Sequence, residues 1–129
     1  MKRAEIVQIT TTCGDASQAD RLVKQVIEER LAACGQIDAG VQSCYHWQGQ
    51  IVEDTEWRCT FKTSVSQADA CAASILKAHP YDTPELILAT VEASEAYAAW
   101  VDANVQPAGT TASGSETPTS LAVDVPHGT

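Results

Sequence analysis

The chain has 129 residues and a formal net charge of −9, with 8 lysines and arginines against 17 aspartates and glutamates. Its basic residues gather nowhere beyond the Lys2-Arg3 pair, so the positive footprint that grips a phosphate backbone is missing and nucleic acid is not an expected partner. Apolar runs are only a few residues long and none follows Lys2-Arg3, which argues against a membrane span, a membrane partner and a signal peptide; the expected location is the cytoplasm.

The first element is AEIVQITTT (4–12), short and β-branched, with Ile6 and Gln8 on one face and Val7 and Ile9 on the other. Apolar residues on both faces predict an inner strand covered at least partly on each side. Asp15 or Ser17 can cap the next element. From Ala16 to Ala33 the apolar positions Ala19, Leu22, Val23, Val26, Ile27 and Leu31 recur at steps of three and four, an amphipathic helix for which Gly35 is a natural stop. From about Gln36 the period returns to two through Val41, Cys44, Tyr45 and Trp47 to a Gln48-Gly49 turn, where glycine supplies a positive φ.

The return strand is TEWRCTFKT, with Trp57, Cys59 and Phe61 on one face and Arg58, Thr60 and Lys62 on the other. Ser66 then caps a second helix whose stripe is Ala68, Cys71, Ala72, Ile75, Leu76 and His79, and Pro80 stops it. Leu86 to Val91 reads as a buried strand, and Ala93 to Val105 as a final helix carrying Tyr97, Trp100 and Val101.

The order β-α-β-β-α-β plus a terminal helix predicts an α+β, ferredoxin-like sandwich over residues 1–105, an antiparallel sheet with two helices on one face. Residues 106–129, QPAGTTASGSETPTSLAVDVPHGT, hold no period and no aromatic residue and read as a disordered tail. Trp47 and Trp57 are large for so small a sheet to cover, and its edges need partners. Oligomerisation with closed symmetry is therefore expected.

Five cysteines, Cys13, Cys34, Cys44, Cys59 and Cys71, form no CxxC and are odd in number. They read as small buried hydrophobes in a reducing compartment rather than a zinc site or a disulfide frame. His79 in AHPYDTPEL (78–86) has two readings, a helix-terminal residue favoured by the dipole or a ligand for a transition metal. Glu53 and Asp54 come after the turn and read as solvated. Glu56, Arg58, Thr60 and Lys62 share a face by period two, and Glu56 and Lys62 with Tyr81 and Glu85 could line a cleft for a cation, a small molecule or a salt-bridge cluster. No nucleophile elbow or phosphate-cradling loop is present, and TTCGDA (11–16) lacks the glycine-rich anion loop and arginine of an acylphosphatase, so no enzyme is expected. An aromatic content of 5% argues against an RNA-binding platform.

The segments IVQITTT, VIEERLAAC, SCYHWQGQIVEDTEW, FKT and AHPYDTPEL, in this order over residues 5–105, resemble the CutA divalent-cation-tolerance family. The resemblance implies a ferredoxin-like fold assembled into a compact homotrimer, similar in architecture to the PII nitrogen-signalling proteins, and a role in tolerance to divalent metals, copper in particular. It also implies a copper site at the position of His79, commonly preceded by a second histidine and joined by a cysteine near the end of the first strand. Here Ala78 precedes His79, the first-strand position is Thr10, and Cys13 is expected to point elsewhere. His79 is thus the one retained ligand, for weak binding of copper or another divalent transition metal, with no cofactor required. The residues matching Glu56, Lys62 and the HPYDTPE segment lie near subunit junctions in the family. The alternative reading is a PII-like scaffold whose intersubunit cleft binds a small molecule or protein partner, with metal incidental and His127 a stray ligand in the tail.

Overall fold

A computed structural model of the chain describes residues 1–107. Strand β1 (Arg3–Cys13) leads into helix α1 (Ala16–Glu28), followed by β2 (Cys34–Trp47) and β3 (Gln50–Thr63). A 3-10 turn (Val65–Gln67) precedes α2 (Ala68–Ala78), and the fold closes with β4 (Ile87–Ser94) and α3 (Glu95–Ala103). All strand pairs are antiparallel, in the order β2-β3-β1-β4. This is the expected ferredoxin-like sandwich with an added C-terminal helix. Among the described residues no helix is long and apolar enough to cross a membrane.

Helices α1 and α2 bury Leu22, Val26, Cys71 and Ile75 against Val7, Ile9, Cys59 and Phe61 of the central strands. Ile6, next to Val7 and therefore on the opposite face, packs under Ala98 and Val101 of α3. The two faces of β1 are thus covered by different helices, as its apolar residues on both sides predict.

Several boundaries differ from the sequence reading. Helix α1 ends five residues before Ala33, because Arg30 adopts a left-handed φ of 58°. Arg30 N–H donates to Ile27 O (2.9 Å) and Leu31 N–H to Val26 O (3.3 Å), a Schellman closure with arginine where glycine is usual. Leu31 and Val26 both enter the core, which completes the motif with its apolar contact.

Gly35 is therefore no helix stop. It lies in β2 opposite Phe61, and a Cβ there would stand 2.7 Å from Val23 Cγ1. Glycine lets α1 settle onto the sheet. Ser66 likewise does not cap the second helix: Ser64 Oγ accepts from Gln67 N–H and caps the 3-10 turn, and α2 follows from Gln67 without a side-chain cap.

Strand β4 is an edge and not a buried strand: Ile87 is 55% and Leu88 42% exposed. Beyond a bulge between Asp38 and Val41, β2 and β3 continue as a two-stranded ribbon, since β1 stops at Cys13 opposite Trp57. Its Gln48-Gly49 turn has φ of 52° and 79°.

The last described residues, Gln106 and Pro107, are tied to the fold. Gln106 N–H donates to Arg30 O (2.8 Å) and its Nε2 to Glu29 O (2.6 Å). Gln67 Nε2 donates to the carbonyls of Gln106 (3.0 Å) and Pro107 (2.7 Å). The rest of the expected tail, with His127, lies outside the described residues.

Candidate functional site

His79 is the C-cap of α2, in extended backbone (φ −73°, ψ 138°), because the ring of Pro80 disfavours helix for the residue before it. The side chain is 8% exposed and points to the end of β1. Tyr81 N–H donates to Nδ1 (3.1 Å), so Nδ1 is unprotonated and the ring proton sits on Nε2, which donates to Thr12 O (2.8 Å). The imidazole thereby ties the end of α2, the loop after it and the end of β1 together. The Tyr81 ring lies over it, with centroids 4.7 Å apart.

Cys13 does not point elsewhere. Its Sγ is 4.0 Å from His79 Nε2. Counting by two from Ile9 puts Thr11 and Cys13 on the helix-covered face, whereas Thr10 faces the other way, opposite Thr60 and Ile87. The same count on β3 brings Cys59, opposite Thr11, next to Cys13. A hydrogen bond from the Cys59 thiol, with a further contribution from His79, holds Cys13 below the ordinary thiol range against the opposing effect of burial. The same hydrogen bond, then burial, pushes Cys59 up. Neither cysteine was identified as a site residue from sequence. The signal that finds them is strand parity, not a motif.

The acidic cleft is a second feature. Glu56, 3% exposed, and Glu85 line a space of about 420 Å³ with Ser43, Cys44, Tyr45 and Thr83. Tyr45 is pushed up to about 12 by burial and by Asp54, whose Oδ2 accepts its hydroxyl proton at 2.5 Å. Tyr81 stands beside this cleft, and its phenol is also pushed up, by burial and then by the charge of Glu56. Gly14 makes room for it: a Cβ there would meet the Tyr81 hydroxyl at 2.8 Å.

Within one chain, then, Glu56 and Glu85 line the same space and Tyr81 feels the charge of Glu56, but Lys62 is elsewhere. Lys62 is opposite Gln8 and Cys34 at the far end of β3, with Nζ donating to Gln36 Oε1.

Among the described residues no three His, Cys, Asp or Glu side chains meet closely enough to cage a cation. Both ring nitrogens of His79 are engaged, so a metal at Nε2 must displace the Thr12 hydrogen bond and shift the ring proton. A three- or four-coordinate zinc or Cu(II) centre does not fit these residues. A site with fewer protein donors does.

The family model described as CutA1 divalent ion tolerance protein matches residues 7–104. The divalent-cation tolerance protein CutA of Pectobacterium atrosepticum is 33% identical over 103 residues, covering 79% of this chain and 94% of that one. Among solved structures, CutA from Xylella fastidiosa superposes with a TM-score of 0.76 at 30% identity, over 80% of this chain and 100% of that one. CutA1 from Oryza sativa gives 0.75 at 29% identity, over 80% and 95%. With nearly the whole described fold matched, the chain belongs to the CutA divalent-ion tolerance family.

Proposed function

We propose that the chain serves divalent-cation tolerance in the cytoplasm as a non-enzymatic homotrimer that binds a transition metal, copper foremost, weakly at the end of β1. The observation that carries this reading is the 4.0 Å approach of Cys13 Sγ to His79 Nε2, a sulfur and a nitrogen donor side by side. Thiolate and imidazole suit copper, and the two hydrogen bonds a metal must disturb on His79 keep the binding weak. The exposed apolar edge at Ile87 and Leu88 supports association with other copies. In this reading the cleft of Glu56, Tyr81 and Glu85 opens at a subunit junction, where Lys62 or a small-molecule or protein partner can reach it.

The test is an anaerobic copper titration against a chelator of known affinity, on full-length protein carrying His127→Ala. Cys13→Ser and His79→Ala are each expected to weaken saturable binding by about tenfold or more. Binding that neither variant alters overturns the assignment.

A further inference from the structure

The ribbon and the loop after α2 enclose a hollow that the proposed metal binding does not use. Its volume of about 420 Å³ falls within the roughly 300–1,000 Å³ of small-molecule pockets. Ser43, Tyr45 and Glu56 line it from the ribbon, and Thr83, Pro84 and Glu85 from the loop. Its charged lining residues are two carboxylates at different depths: Glu56 is 3% exposed, whereas Glu85 is open to solvent. No lysine, arginine or histidine belongs to the lining. Behind Tyr45, Asp54 accepts the phenol's hydrogen bond (2.5 Å) and adds a third negative charge nearby.

We infer that this cleft is a binding site for a small organic amine, whose ammonium group seats against Glu56 with Glu85 as its second counter-charge. The inference deepens the cleft part of the proposed function by naming what enters, and it does not depend on copper.

A carboxylate on an open surface is satisfied by water and loose counter-ions and calls for no ligand. Glu56 is different, because burial takes its charge out of bulk water, a cost that a positive charge brought alongside offsets. Low-dielectric walls carrying charge of one sign also focus the field and draw cations in. The chain's net charge of −9 works in the same direction, and anionic ligands are repelled.

A bare metal ion has the wrong size and chemistry for this space. Among the described residues no three His, Cys, Asp or Glu side chains come together to hold one, while magnesium and calcium take six or more oxygens. The hollow has room for about 14 waters at roughly 30 Å³ each, so an ion leaves most of it unfilled. An organic molecule of about ten non-hydrogen atoms occupies it far better. An ammonium group brings three N–H donors, and the lining offers the carboxylates of Glu56 and Glu85 and the hydroxyl of Ser43. Pro84 and Tyr45 add apolar and aromatic surface for the carbon chain, and an aromatic ring favours a cation.

The test is calorimetric titration of full-length protein with diaminobutane and with its uncharged counterpart butanediol, in an amine-free buffer containing a metal chelator. Saturable binding of the diamine, weakened by added salt, is expected, and none of the diol. Glu56→Gln, nearly unchanged in shape, should weaken binding by about 30-fold or more. Glu85→Gln should weaken it by up to about fivefold, because its charge is exposed. Glu53→Gln, exposed and opposite Cys44 on the ribbon, should change nothing. Circular dichroism checks that each variant folds, and if Glu56→Gln does not, Glu85→Gln and the diol decide. The inference is overturned by absence of saturable diamine binding, by equal binding of the diol, or by diamine binding that neither Glu56→Gln nor Glu85→Gln weakens. A loss in Glu53→Gln as large as in Glu56→Gln overturns it too, as does diamine uptake seen only in Lys62→Met, where a neighbouring copy's lysine already fills the cleft. None of these outcomes touches the copper titration, whose dependence on Cys13 and His79 is read separately.

Discussion

Gly35→Ala adds one methyl group where α1 meets the sheet. The new Cβ would stand 2.7 Å from Val23 Cγ1, inside the 3.4 Å at which ordinary contact begins. It cannot retreat, because Cδ2 and Cε2 of Phe61 already sit at 3.4 Å. Overpacking of this kind costs about 1–3 kcal/mol. The smaller conformational freedom of alanine in the unfolded chain offsets about 0.4–1 kcal/mol of that. A net loss of about 1–2 kcal/mol is expected, read as a shift of the urea midpoint at one fixed protein concentration. Truncating the clashing partner should relieve it: in a Val23→Ala background, Gly35→Ala should cost at least about 1 kcal/mol less than in the parent. An equal cost in both backgrounds would refute the steric account and return Gly35 to a purely backbone role.

Two further outcomes rest on the same geometry. Gln48→Asn, at a φ of 52° in the ribbon turn, should raise stability by up to about 1 kcal/mol, because asparagine tolerates the left-handed region better than glutamine; a lower urea midpoint would contradict this. Cys71 is pushed up to about 12, chiefly by burial and then by Glu29. Its folded value lies above its unfolded one, so its stabilising effect is complete below the ordinary thiol value of 9.0 and is lost as pH rises from there towards 12. Unfolding measured from pH 8 to 11 should show a decline to which this thiol adds up to about 1.4 kcal/mol per pH unit. Cys71→Ala should flatten the decline, and an unchanged slope would sink the assignment.

The fold was legible because its elements differ in period: two in Trp57-Cys59-Phe61, three and four in α1, with Pro80 as punctuation. What escaped were features set by neighbours distant in sequence. Gly35 looks like a helix stop until Val23 is seen above it. Arg30 ends α1 in a conformation that its side chain does not advertise. Leu86 to Val91 is apolar enough to be internal, but it pairs on one side only and so lies at an edge. His79 stood out by its chemistry, whereas the direction of Cys13 depended on a parity count that began from Thr10 and so chose the wrong face. Glu56 and Glu85 line one space, but a shared face by period two does not bring Lys62 to it, because Lys62 pairs with Gln8 and Cys34 at the other end of the strand.

The ribbon beyond Cys13 divides β3 into two halves with different dynamics. Residues from Arg58 to Lys62 are paired with both β1 and β2, so their amides exchange with solvent only when the sheet itself comes apart. From Gln50 to Glu56 the strand has β2 alone, and a two-stranded hairpin is marginal by itself. In an isolated chain these distal amides exchange through brief local openings, and a step in protection falls near Trp57. Any assembly that lays a further strand along the ribbon slows the distal half and smooths that step. One strand thus carries both a reference for global stability and a gauge of association.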